Sequence, residues 1–318
     1  MSDFTIVPKV DLQQYIHGNE SEKKAFIAQL GNAFRDIGFV IVQNHGIPMD
    51  LVDSFYNASM EFFYLPKKTK LQYEIPNLAG QRGYTSFGKE HAKQSDVGDL
   101  KEFFQFGQTI EGGDPIKSEY PDNIFVKDVP NLSKDGKLLY KSFEESGAYL
   151  LEAIAIYLGL DKAFFTQKIH HGNSILRTIY YPPITKEPKS ALRAEQHEDI
   201  NLITLLVGAS SGGLQVQNLA GDWIAVVPEK NEIAINVGDM LQRLTNNFLK
   251  STTHRVVNPP KDKWHEERLS IPFFLHPRSD MSLSCLPSCV TAERPLAYEP
   301  ITAGEYLDER LREIGLKK

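Results

Sequence analysis

The sequence predicts a mainly β protein with helical additions: an antiparallel sandwich, jelly roll or barrel, preceded by an N-terminal helical layer and closed by a C-terminal helix. Three observations carry that expectation. Downstream of Ser174, short apolar or alternating runs recur at regular spacing, divided by Gly, Asn and Asp turns. Upstream of Leu160, apolar residues fall at helical spacing instead. The change of texture lies between Leu160 and Ser174, so a division into residues 1–165 and 166–318 is expected.

Taken in order, Ala25, Phe26, Leu30, Ala33, Phe34 and Ile37 predict a helix over Glu20 to Ile37, stopped by Gly38. Phe39 to Val42 is a short buried strand, and Asn44 to Pro48 a turn. A second helix runs from Met49 to Tyr64 and ends before Pro66. Tyr73 to Gly113 reads as irregular, with one aromatic strand at Glu102 to Gly107. A third helix spans Lys137 to Leu158, capped by Gly159. Strands follow at Ser174–Tyr181, Ile200–Val207, Gly213–Asn218, Trp223–Val227, Ile233–Val237, His254–Val257 and Leu269–Leu275. Gly221-Asp222 and Gly238-Asp239 are turn signals, and Ala303 to Ile314 is the last helix.

The 318 residues are 41% hydrophobic and 24% charged, enough apolar material for a sizeable core. A net charge of -6 offers no footing for nucleic acid. No apolar run reaches the ~18 residues a membrane span needs, and the first residues lack a basic segment followed by an apolar one. The cysteines Cys285 and Cys289 do not make a disulfide framework. Two thiols packed in a strand region of a reduced, cytoplasmic protein are expected.

The chemistry gathers at Gln196-His197-Glu198-Asp199. Residues two apart on a strand share a face, so the imidazole of His197 and the carboxylate of Asp199 converge while Glu198 points away. His254, on a separate strand, supplies the third donor. Taken singly, the first two read as a hydrogen-bonded surface pair and the third as a buried, satisfied imidazole. Together they form two imidazoles and one carboxylate on one face of a metal. That set suits iron(II) that binds oxygen and a co-substrate side by side, whereas a structural zinc site would be closed by four ligands. His170 and His171 follow a helix and cap it, and His17, His45, His91, His265 and His276 receive no ligand role.

Arg268 and Ser270 share one face of a strand whose other face carries Leu269, Ile271 and Phe273. An arginine aimed into a barrel needs an anion. Guanidinium and hydroxyl form a fork for a carboxylate, which predicts an acidic small molecule inside. The contrary reading is an outward arginine paired with Glu266 or Glu267.

These residues, with Gly38-Phe39, Asn44-His45-Gly46-Ile47-Pro48, Arg82-Gly83-Tyr84, Tyr181-Pro182, Gly213-Leu214-Gln215-Val216, Asn236-Val237-Gly238-Asp239, His254-Arg255-Val256 and Arg268-Leu269-Ser270, resemble the isopenicillin N synthase-like branch of the iron(II)/2-oxoglutarate-dependent oxygenases over nearly the whole chain. The resemblance implies a double-stranded β-helix, a distorted jelly roll of the cupin-like kind. It implies iron(II) on His197, Asp199 and His254. It implies 2-oxoglutarate with its distal carboxylate on Arg268, Ser270 and Tyr181, and O2 as the oxidant of a small-molecule substrate. One departure stands out: relatives carry Asn two residues before the tyrosine, where this chain has Ile179. That substitution leaves room for an oxidase of the isopenicillin N synthase type, which grips the substrate's own carboxylate and uses no 2-oxoglutarate. A non-catalytic jelly-roll sensor and a zinc hydrolase compete with both. Candidate substrate walls are Tyr84–Phe87, Phe103–Phe106, Phe274, Leu286 and Tyr306, each of which also suits ordinary core packing.

Overall fold

The computed structural model describes residues 6–76, 78, 80–90, 98–110, 113–188, 190–207 and 211–313. The helices are α1 (Leu12–Ile16), α2 (Glu20–Asp36), α3 (Met49–Phe63), α4 (Lys67–Lys70), α5 (Pro130–Tyr157), α6 (Thr166–Ile169), α7 (Asp239–Leu244) and α8 (Ala303–Glu313). The strands are β1 (Lys9–Asp11), β2 (Phe39–Gln43), β3 (Gly83–Thr85), β4 (Glu102–Gly107), β5 (Ile175–Tyr181), β6 (Ala194–His197), β7 (Ile203–Val207), β8 (Leu214–Gln217), β9 (Trp223–Ala225), β10 (Glu232–Val237), β11 (His254–Val256) and β12 (Arg268–Leu275).

They form an eight-stranded sheet in the order β1-β2-β10-β7-β12-β5-β4-β3 and a four-stranded sheet in the order β6-β11-β8-β9. Apart from the parallel β1–β2 pair, the ladders are antiparallel. The large sheet is apolar on both faces because each face meets a different layer. Val40 and Val42 of β2, and Ile233 and Ile235 of β10, join the core under the helices. Their neighbours Phe39, Ile41 and Ala234 join a second core, with Leu214, Val216 and Val256 of the small sheet. A strand buried on both faces reads as a continuous apolar run, which is how β2 and β7 look in the sequence.

The helical layer is fixed by aromatic packing. Phe143 of α5 stacks on Phe273 of β12 at 5.3 Å, and Tyr140 meets the same ring edge-on at 5.0 Å. Losing a fully buried phenylalanine there would remove about 3–5 kcal/mol. Gly38 turns α2 into β2 at φ +73, and a Cβ there would lie 2.2 Å from the Lys250 carbonyl oxygen, so the turn requires glycine.

Several boundaries differ from expectation. Helix α5 begins at Pro130, seven residues before Lys137, because proline suits the first helical turn. The apolar run from Ile200 becomes strand only at Ile203, since Asn201 spends its amide on the Ile203 carbonyl and the Thr204 hydroxyl. Gly238-Asp239, expected as a plain turn, is the start of α7, with Gly238 as its N-cap. Cys289 lies in a short 3-10 helix, Pro287–Cys289, where a strand was expected, and both thiols are free. The last helix was expected to reach Ile314, which lies outside the described residues. No described helix is long and apolar enough to cross a membrane.

Candidate metal centre and cavity

His197 closes β6, and Asp199 lies just past the strand's end. His254 opens β11 and sits opposite His197 in the ladder. Register between the two strands thus brings the imidazoles side by side, with ring centroids 4.4 Å apart. The Asp199 Oδ1 is 3.9 Å from the His197 Nε2 and 3.8 Å from the His254 Nε2. One ligand atom from each of the three residues lies within 4.8 Å of the others.

Each side chain is oriented by a second partner. The His197 Nδ1 faces the Glu195 carbonyl oxygen at 2.6 Å, and the His254 Nδ1 faces that of Thr252 at 3.1 Å. A carbonyl only accepts, so Nδ1 carries the proton in both rings and each Nε2 keeps its lone pair for a metal. The Asp199 Oδ2 accepts from the Thr204 hydroxyl at 2.6 Å and the Asn236 amide at 2.8 Å, which turns Oδ1 toward the imidazoles. Burial pushes the Asp199 carboxyl up, but the imidazoles of His254 and His197 and those two hydrogen bonds hold it below the usual value. Burial, aided by neighbouring His254, pushes the His197 imidazole below its usual value. Both shifts favour the neutral imidazole and the ionised carboxylate, the forms that bind a metal. Glu198 bonds to the Thr253 hydroxyl instead.

The triad borders a cavity of about 590 Å³ between the two sheets. Its floor is the β5–β12 pair. The register sets Arg268 opposite Tyr181 and Ser270 opposite Ile179, and all four line the cavity. Arg268 is 1% exposed. Its guanidinium lies 4.9 Å from the Tyr181 ring centroid, and its Nε donates to the Ser211 carbonyl at 3.2 Å. Its Nη1 has no hydrogen-bond partner among the described residues. Burial pulls the guanidinium below its ordinary value. Arg268 is therefore not the outward partner of Glu267, whose carboxylate accepts from the Tyr64 and Tyr180 hydroxyls.

A second charged group lines the same cavity. The Lys101 Nζ is 2.7 Å from Glu90 and 2.8 Å from Asp99, and Arg177 reaches Glu90 at 3.2 Å. Arg177 and Lys101 overcome burial to hold the Glu90 carboxyl down at about 2. Among the suggested walls, Phe274 and Gln105 line the cavity, whereas Leu286 and Tyr306 belong to the core. The last helix contributes Leu307, Arg310 and Leu311 instead. Asn173, Arg177 and His276 also line it, and none was expected there. His276 lies just past the end of β12 but is 7% exposed, and burial lowers its imidazole to about 4. His91 lies outside the described residues. His171 contacts Asp114 at 2.8 Å, and the His45 Nδ1 accepts from the Ile47 amide.

The donor set fits iron(II). Two imidazole lone pairs and one carboxylate oxygen face a common point without a thiolate, on one side only, as an open non-haem iron centre requires. The orphaned Arg268 Nη1 fits the far carboxylate of a keto diacid. Fold and site thus define a jelly-roll metal oxygenase class. Comparisons with known proteins are specific. Residues 7–128 match the non-haem dioxygenase in morphine synthesis N-terminal family, and residues 172–277 match the 2OG-Fe(II) oxygenase superfamily. The chain is 32% identical over 320 residues to the 2-oxoglutarate-dependent dioxygenase htyE of Aspergillus rugulosus, covering 94% of this chain and 96% of that protein. A 2OG-Fe(II) oxygenase family protein from Caulobacter crescentus superposes with a TM-score of 0.88 at 41% identity, over 98% of this chain and 100% of the other. A full-length Neurospora crassa protein in complex with alpha-KG and thymine gives 0.86 at 30%, over 98% of each chain. The chain belongs to the 2OG-Fe(II) oxygenase superfamily. It is an oxidoreductase that requires iron(II), 2-oxoglutarate and O2.

Proposed function

We propose that His197, Asp199 and His254 bind the iron of this dioxygenase, and that Arg268, Ser270 and Tyr181 hold the distal carboxylate of 2-oxoglutarate. The cavity beside them then takes a small organic substrate for hydroxylation, desaturation or ring closure. Bound iron(II), with 2-oxoglutarate and oxygen, supplies the oxidising power and releases succinate and carbon dioxide. The protein's own residues do the rest. Thr204 and Asn236 hold Asp199 in place, and the backbone acceptors fix both imidazoles. The β5–β12 floor aligns the co-substrate between metal and arginine. The apolar residues Phe39, Leu206 and Leu214 exclude water from one side. In functional terms, residues 166–318 carry this machinery. Strands β2 and β4 of residues 1–165 extend its large sheet on both sides.

The observation that carries the reading is the convergence of three ligand atoms beside a buried arginine with an unsatisfied N–H. The complex of the Neurospora crassa protein with alpha-KG and thymine supports a small organic substrate for this chain. The two unpaired thiols, Cys285 and Cys289, accord with a reduced, cytoplasmic setting. The test is stoichiometric. Anaerobic iron(II) with 2-oxoglutarate gives a weak visible charge-transfer band, and aerobic turnover yields succinate. His197→Ala and Asp199→Ala lose bound iron and the band while the fold survives. Full iron content and turnover in either variant would refute the ligand assignment.

A further inference from the structure

The β5–β12 ladder has a second end. Continuing its register by two residues past Phe274 opposite Ile175 brings His276 opposite Asn173, both facing the cavity. This end is near the metal: Thr204, which bonds Asp199, pairs with Phe274 across the β7–β12 ladder. Asn173 and His276 are each 7% exposed. Yet the Asn173 Oδ1 and the His276 Nδ1 have no hydrogen-bond partner among the described residues. Orphaned buried polar atoms are unfavourable unless something outside the protein meets them. Their backbones are fixed independently, Asn173 N–H on the Pro277 carbonyl and His276 N–H on the Ser174 hydroxyl. Beside them Arg177 lies between the rings of Phe103 and Phe274, at 4.1 and 5.1 Å. Its Nε is committed to Gln105 and its Nη1 to Glu90. Lys101 is likewise matched by Glu90 and Asp99.

We infer that Asn173 and His276, with the Phe274 ring as a flat wall, form a substrate subsite for the N–H and C=O edge of an uncharged amide or lactam. A primary amide pairs with such an edge in both directions: its oxygen accepts the N–H and its amino group donates to the C=O. The imidazole nitrogen adds a further partner. A carboxylate substrate fits poorly here, because the nearby cations are already neutralised and the Asn173 oxygen would oppose it. This subsite rests on the proposed function, since it sits beside the proposed metal ligands.

The experiment measures binding, not turnover. The full chain, loaded with Mn(II) and 2-oxoglutarate under argon, is titrated by calorimetry with 2-piperidone, glutarimide and uracil. Pipecolic and benzoic acids serve as carboxylate counterparts. At least one neutral amide binds ten times or more tighter than either acid. Asn173→Ala weakens that amide about tenfold, the scale of one or two uncharged hydrogen bonds. His276→Phe weakens it about threefold or more, and serves if the first variant does not fold. Both variants bind 2-oxoglutarate as the wild type does. Tighter binding of the acids, no amide binding at millimolar concentration while 2-oxoglutarate binds normally, or unchanged amide affinity in a folded variant would overturn the subsite. Failure of 2-oxoglutarate to bind the wild type would instead overturn the proposed function, and the subsite with it.

Discussion

Replacing Arg268 by methionine separates a ligand-gripping arginine from a structural one, because the two roles predict opposite signs. The guanidinium is 1% exposed, takes the Ser211 carbonyl at 3.2 Å and leaves its Nη1 without a partner among the described residues. A buried cation matched only by that carbonyl and the Tyr181 side chain contributes little to the empty protein, and an apolar side chain of similar length is expected to be neutral or mildly stabilising. With 2-oxoglutarate bound, the same guanidinium meets a carboxylate away from water. Removing one partner of such a pair removes about 2–5 kcal/mol, a rise of about 30-fold to several thousand-fold in Kd. Arg268→Met should therefore raise the KM for 2-oxoglutarate over that range and leave kcat at saturation within a few-fold. Thermal unfolding should show an unchanged Tm without ligand and the loss of the shift that 2-oxoglutarate gives the wild type. An unchanged KM would refute the role of Arg268. So would a ligand-free Tm lowered by more than about 5 °C, which marks a side chain the fold itself needs.

Three further perturbations probe the surroundings. Asn236→Ala and Thr204→Val each remove one hydrogen bond to Asp199. Metal affinity, followed by Mn(II) paramagnetic resonance, should drop about 10- to 100-fold, and an unchanged affinity would show that the carboxylate needs no such support. Burial holds the His276 imidazole down at about 4. Both folded and unfolded chains are then neutral above pH ~6.5, and only the unfolded chain gains the proton as pH falls toward 4. Stability is therefore lost across that window, by roughly 3 kcal/mol when complete. His276→Phe should flatten this part of a urea-denaturation pH profile, and parallel profiles would contradict the assignment. Lys101→Met leaves the buried Asp99 carboxylate without its cation and Glu90 with Arg177 alone, both carboxylates lying within 2.8 Å of the ammonium it removes. It should destabilise the fold by about 3–5 kcal/mol, and a loss below ~1 kcal/mol in chemical denaturation would show that water already reaches the pair.

The three proposed metal ligands were readable because each fact they need is local. His197 and Asp199 are separated by one residue, and His254 sits on a strand of its own. What the sequence left open was the ladder that sets His254 opposite His197. The choice for Arg268 was open for the same reason. Strand alternation decides that Arg268 and Ser270 share a side, but only packing of Leu269, Ile271 and Phe273 under the helices decides that this side is the cavity. The misplaced boundaries have a different cause. Gly238-Asp239 resembles a turn because a helix N-cap and a turn draw on the same residues. Pro130 hid the start of α5 because proline marks both a break and a first helical turn.

His276 was passed over because it follows the last residue of β12, where the next residue is Pro277 and a loop is the natural reading. The period of two nevertheless runs straight through it: Arg268, Ser270, Pro272, Phe274 and His276 all line the cavity. Tyr181, Ile179, Arg177, Ile175 and Asn173 do the same on the partner strand. A strand's alternation outlives its ladder by a residue or two, because the backbone stays extended after its last hydrogen bond. On that account one strand pair defines both ends of the site. The end proposed to grip a carboxylate carries Arg268 opposite Tyr181, and the uncharged polar end carries His276 opposite Asn173. Ile179, the departure from the family pattern, faces Ser270 between them. An apolar residue there leaves the Ser270 hydroxyl without a competing amide across the ladder. The proposed function then assigns co-substrate recognition to the arginine end, and the proposed subsite assigns substrate recognition to the end beside the His-Asp-His cluster.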